Sequence, residues 1–95
     1  MSFPLYRARP VLVSAVRWDG TETMLALLKR SWTPALCFVR ISDEDGVIHS
    51  TAALRVPTPE GALTAQVGDW VIRDSQGGLY PVRGHVFDRM YEQMS

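Results

Sequence analysis

Turn residues cut this chain into short apolar runs, most sharply near its C-terminal end. Gly68-Asp69 leads into Trp70-Val71-Ile72-Arg73, and Asp74-Ser75-Gln76-Gly77-Gly78 leads out of it into Leu79-Tyr80-Pro81-Val82. Glycine accepts the positive φ of a tight turn and aspartate hydrogen-bonds its own backbone, so two four-residue runs bounded this way predict a β-hairpin. The second half is accordingly β-rich. Ala53-Leu54-Arg55-Val56 and Leu63-Thr64-Ala65-Gln66-Val67 form a further predicted hairpin, separated by Pro57, Pro59 and Gly61, residues that suit a loop better than a central strand.

The first half mixes periods. Val11 to Trp18 is β-branched and largely apolar up to the turn Asp19-Gly20, which predicts a strand partly buried on both faces. Met24, Leu25, Leu28 and Trp32 then recur at helical spacing; Asp19 or Thr21 can cap that helix, Lys29 and Arg30 suit its negative end, and Pro34 closes it. Ala35 to Ile41 reads as strand, Asp43-Glu44-Asp45-Gly46 as a turn, and Val47-Ile48 as the return arm. After Gly84, the residues Val86, Phe87, Met90, Tyr91 and Met94 fall on one side of a short helix. The class is therefore α+β: a small curved, mostly antiparallel sheet or open barrel, with one helix in the N-terminal half and a short C-terminal one.

Ninety-five residues provide for one domain, 1–95, because a second independent core would not fit. Hydrophobic residues at 46% and charged residues at 21% are those of a folding chain. Ten basic against ten acidic residues leave no bulk positive field to hold a DNA duplex, so duplex coating is not expected. The single cysteine, Cys37, cannot form an intrachain disulfide, and its neighbours Leu36 and Phe38 suggest a buried thiol in a reducing cytoplasm. The N-terminal residues 1–10 carry Arg7 and Arg9 but no apolar run of a signal peptide, and no stretch reaches the roughly 18 apolar residues of a membrane span.

His49 and His85 have no second ligand at metal-binding spacing, so no metal site and no cofactor is expected. Asp43-Glu44-Asp45-Gly46 would need an acid where Leu54 stands and a glycine where Ile48 stands to be a calcium loop. No Gly-x-Ser-x-Gly elbow or phosphate-binding glycine pattern occurs, and Asp69 and Asp74 fit turns better than a catalytic acid pair. A non-enzyme is the expectation.

One compositional feature points to binding. Nine of the ten basic residues are arginine, including Arg7, Arg9, Arg17, Arg73 and Arg83, and guanidinium groups suit bidentate phosphate contacts and stacking on rings. Arg17 beside Trp18, Arg73 after Trp70 and Arg83 after Tyr80 together supply charge and stacking surface for a nucleotide or short single strand. A genome rich in GC would raise the arginine share without any binding role, and Trp70 and Tyr80 equally suit a hairpin core.

Across Gly68-Asp69-Trp70-Val71-Ile72, Gly78-Leu79-Tyr80-Pro81, Val86-Phe87 and Tyr91-Glu92 the chain resembles a widespread family of small phage and prophage proteins of unassigned function. The opening Arg9-Pro10-Val11, the run Val16-Arg17-Trp18-Asp19-Gly20-Thr21 and the middle Pro57-Thr58-Pro59-Glu60-Gly61 are similar too. Arg83-Gly84-His85 stands where the family has a Lys-Pro-Asp run, which removes a good helix cap. The resemblance implies a phage or prophage source and action in the host cytoplasm, and it implies no catalytic residues.

Two functions follow as expectations. The first is a non-enzymatic accessory protein that binds a phosphate-bearing, nucleotide-type ligand, such as a host-defence signal to be sequestered. Its contacts would be Arg17, Trp18, Trp70, Arg73, Tyr80 and Arg83. A chain this small has little room to enclose a nucleotide, so the pocket would lie between subunits of a homo-oligomer. The alternative is a protein-interaction module, a minor virion component or an inhibitor of a host protein, acting through sheet edges or the last helix.

Overall fold

A computed structural model describes residues 2–6 and 11–94. Arg7, Arg9 and Pro10 of the arginine set and the opening motif lie outside the described residues. The elements are β1 (Ser14–Arg17), α1 (Glu22–Ser31), β2 (Cys37–Ser42), β3 (Ile48–Thr58), β4 (Gly61–Ala65), β5 (Trp70–Arg73), β6 (Leu79–Val82) and α2 (Gly84–Met90). They form two three-stranded antiparallel sheets, ordered β1-β5-β6 and β2-β3-β4. The fold is α+β, with curved sheets that do not close into a barrel.

The C-terminal hairpin has the bounds its turns dictate. Asp74 Oδ1 accepts from the Gln76 and Gly78 N–H groups at 2.9 and 2.8 Å, which closes the loop between β5 and β6. Helix α1 starts on a relay: the Thr21 hydroxyl accepts from the Met24 N–H at 3.1 Å and donates to Asp19 Oδ1 at 2.8 Å. Both capping candidates are thus used together. These bonds hold the Asp19 carboxyl below its ordinary range, the Thr21 backbone N–H first and its hydroxyl second.

Several elements differ from their sequence-based bounds for local reasons. Only Ser14–Arg17 of the apolar run from Val11 pairs as strand, because its partner β5 ends at Arg73. Val11 and Leu12 are left exposed. Both expected hairpins form, but they share one eleven-residue strand, β3, which runs on from Ile48 through Ala53–Val56, pairs with β2 between Ile48 and Arg55, and pairs with β4 between Leu54 and Thr58. Pro57 lies inside β3 and opposite Ala62 of β4, contrary to its assignment to a loop. The β2 pairing ends at Cys37 opposite Arg55, so Pro57 has an open side where its missing N–H breaks no ladder. Helix α2 ends at Met90, leaving Tyr91 extended and Met94 beyond it. Cys37 is exposed rather than buried: along this strand side chains alternate, and those of Leu36 and Phe38 take the inward positions.

The core lies between the sheets and α1. Trp18, Leu28, Leu36, Leu54, Val56, Ala65, Val71 and Leu79 form one buried cluster, against which Val16, Met24, Leu25, Trp32 and Phe38 pack. Trp18 joins the two sheets. Its ring is wholly buried, sits 5.8 Å from Phe38, and its Nε1–H donates to the Ala52 carbonyl of β3 at 2.7 Å. Gly20 permits this junction: its φ is +80°, and a side chain there would start 2.7 Å from Val67 Cγ2.

Candidate functional site

The pairing registers decide which expected contacts share a face. In an antiparallel sheet directly opposed residues point the same way. Arg17, Trp70 and Val82 make one cross-strand row, and Ala15, Ile72 and Tyr80 make the next row on that face. The opposite face carries Val71 and Leu79 into the core. Arg17, Trp70 and Tyr80 therefore share the outer face of the β1-β5-β6 sheet.

Helix α2 covers one end of this face. Phe87 stacks on Trp70 with ring centroids 4.1 Å apart and planes 6° from parallel, and Tyr91 stacks on Phe87 at 4.9 Å and 17°. All three rings are half-buried. Helix and sheet approach closely because Gly84 has no side chain: a Cβ there would stand 2.7 Å from the Gly68 carbonyl oxygen. The Arg17 guanidinium lies on the other side of Gly68, 3.8 Å from where a side chain would begin. Arg83 precedes α2 at its N-cap and is exposed; its side chain makes no capping bond, and its carbonyl accepts from Val86 and Phe87 N–H groups. Three of the six expected contacts, Arg17, Trp70 and Tyr80, thus share one face, and Arg83 stands at the N-cap of the helix that covers one end of it.

The other two lie elsewhere. Trp18 is sealed in the core, with no ring face left for a ligand. Arg73 points to the opposite side of the sheet from Trp70 and reaches the β5–β6 turn, 4.0 Å from where a Gly77 side chain would begin. Phe87 and Tyr91 are site residues that arginine and aromatic spacing alone did not select. Their signal is the four-residue spacing, which sets Tyr91, at the C-cap of α2, one turn from Phe87.

Electrostatically the face is open. Among the described residues the one basic side chain within ion-pairing distance of a carboxylate is His49, 3.0 Å from Asp43, so no described arginine is paired with a described carboxylate. Two shallow depressions of about 320 and 370 Å³ lie beside Cys37, Arg55 and Pro57, and beside Val86, Arg89 and Met90. Among the described residues no three His, Cys, Asp or Glu side chains come together as metal ligands. Asp69 accepts from the Gln66 N–H at 2.9 Å and so, like Asp74, organises a turn. No helix is long and apolar enough to cross a membrane among the described residues. The arrangement offers stacked rings, free guanidinium groups and open sheet edges. Compared with known proteins, the chain matches no family model, no curated protein and no solved structure.

Proposed function

We propose that this chain is a non-catalytic protein-interaction module whose partner docks on exposed apolar surface and open sheet edges. One observation carries the reading. Large apolar residues stay exposed on or beside edge strands and at the end of α2: Val11 and Leu12 just before β1, Leu63 on β4, and Met90. With the phage or prophage source that the sequence pattern suggests, this module would act in the cytoplasm of a host cell.

A tagged chain co-expressed with an untagged copy in host cells tests this. Stoichiometric retention of a protein, either the untagged copy or a host protein, is the expected result. A monomer that retains no protein overturns the reading. Nucleotide sequestration is the second reading, favoured by Arg17, which has no carboxylate partner among the described residues, on the same face as Trp70 and Tyr80. Equilibrium binding of linear and cyclic nucleotides tests it, and absence of binding at high micromolar concentration would sink it.

A further inference from the structure

We infer that the partner is a second copy of this chain, joined edge to edge through β1 in an antiparallel, two-fold pairing that makes one six-stranded sheet. This rests on the interaction-module reading and names its partner.

Open edges invite pairing unless something blocks them. Strand β6 carries Pro81 at its centre, β2 is distorted by register shifts around Ile41, and β4 lies against β6. Edge strand β1 has none of these defences. It has no proline, no bulge, and only one charged residue at its end. Just upstream, Val11 and Leu12 are 63% and 74% exposed, beyond the reach of β5. A β-branched apolar run beside an undefended edge is a liability in a monomer and a ready contact in a dimer.

The hydrogen-bonding phase is fixed within the chain. Trp18 N–H donates to the Asp69 carbonyl, and its own carbonyl accepts from the Gly68 N–H, both at 2.8 Å. Trp18 therefore points its backbone groups toward the β5 side, and alternation turns those of Ala15 and Arg17 outward. Among the described residues no turn or loop bond reaches those outward groups.

A two-fold axis at Ser14 then makes the run self-complementary. Val13 falls opposite Ala15 of the second copy, Val11 opposite Arg17 of the second copy, and Leu12 opposite Val16 of the second copy. The odd-numbered residues, whose backbone groups point outward, meet each other, giving about eight backbone hydrogen bonds. Leu12 extends the apolar layer that Val16 begins on the core-facing side. The two Arg17 side chains stand about six residues apart along the ribbon, roughly 20 Å, so like charges do not meet. A two-fold contact requires one patch to complement itself, and this run does so.

Light scattering and native mass spectrometry across a dilution series test the inference on the full chain. The wild type should be a dimer. Val13→Pro removes an outward N–H from a residue outside β1, so the internal β1–β5 ladder stays intact; loss of two symmetry-related bonds should raise the dimer Kd on the order of tenfold or more. Circular dichroism should be unchanged. In a Cys37→Ser background, Ser14→Cys should form an intermolecular disulfide on mild oxidation, because opposed residues at a two-fold axis bring their Cβ atoms within bridging range, whereas Ser42→Cys should not. A dimer that survives Val13→Pro and resists the Ser14→Cys cross-link overturns the β1 interface. A wild-type monomer that still retains a host protein overturns self-pairing alone. A monomer that retains nothing overturns both this inference and the interaction reading.

Discussion

Trp18 is the side chain on which the two sheets depend, and replacing it gives the most informative stability test. The ring is fully buried, and its Nε1–H bond to Ala52 crosses from one sheet to the other. Trp18→Phe keeps an aromatic ring but removes two buried carbons and the donor. At about 0.8 kcal/mol per buried carbon the packing loss is roughly 1.6 kcal/mol. The lost hydrogen bond adds roughly 0.5–1.5 kcal/mol, for a total of about 2–3 kcal/mol. Trp18→Ala loses about 3–5 kcal/mol from the cavity and the same bond besides. A domain of this length has about 5–14 kcal/mol of stability in all, so the alanine variant should be left marginal and the phenylalanine variant folded but weakened. Urea unfolding followed by far-ultraviolet circular dichroism reads this directly. With a slope near 1.5 kcal/mol per molar, Trp18→Phe should lower the midpoint by about 1–2 M without changing the slope. A shift below about 0.3 M would refute the placement of Trp18 in the core and return it to the candidate ligand contacts.

Three further outcomes are expected. Gly84→Ala puts a Cβ 2.7 Å from the Gly68 carbonyl oxygen, so α2 should lift and the Trp70–Phe87 stack open, read as a change in near-ultraviolet circular dichroism; an unchanged spectrum would count against the docking of α2. Arg83→Ser supplies the missing cap of α2 and removes a positive charge from its positive end, which should stabilise the protein by about 1 kcal/mol in thermal unfolding. The Val47 N–H first, and His49 second, hold the Asp43 carboxyl below its ordinary 3.8. The folded hairpin tip thus binds a proton less readily than the unfolded one. Its stabilisation is present above that ordinary value and lost as pH falls through the lower folded one, so Asp45 and Val47 amides should lose exchange protection only under that acidity.

Local chemistry made much of the fold legible. The β5–β6 hairpin follows from its Gly and Asp turns, and α1 from its apolar spacing and caps. Long-range pairing was less legible. Nothing within Val11–Val13 says that β5 will stop short of it, and nothing within Ile48–Thr58 says that one strand will serve two partners. At Cys37 the apolar neighbours suggest burial, whereas the alternation along the strand turns every second side chain outward. Trp18 and Trp70 show the same limit at the candidate site. Both stand beside arginines or glycines in a strand-like context, yet register sends one into the core and the other to an outer face.

Native mass spectrometry of the wild-type chain, purified gently from the cells that express it, tests the interaction-module reading most directly because it reports subunit number and retained ligand together. A species made of protein alone, two copies of this chain or a copy with a protein partner, is the expected result. A monomer carrying nucleotide-sized extra mass and no protein would contradict it.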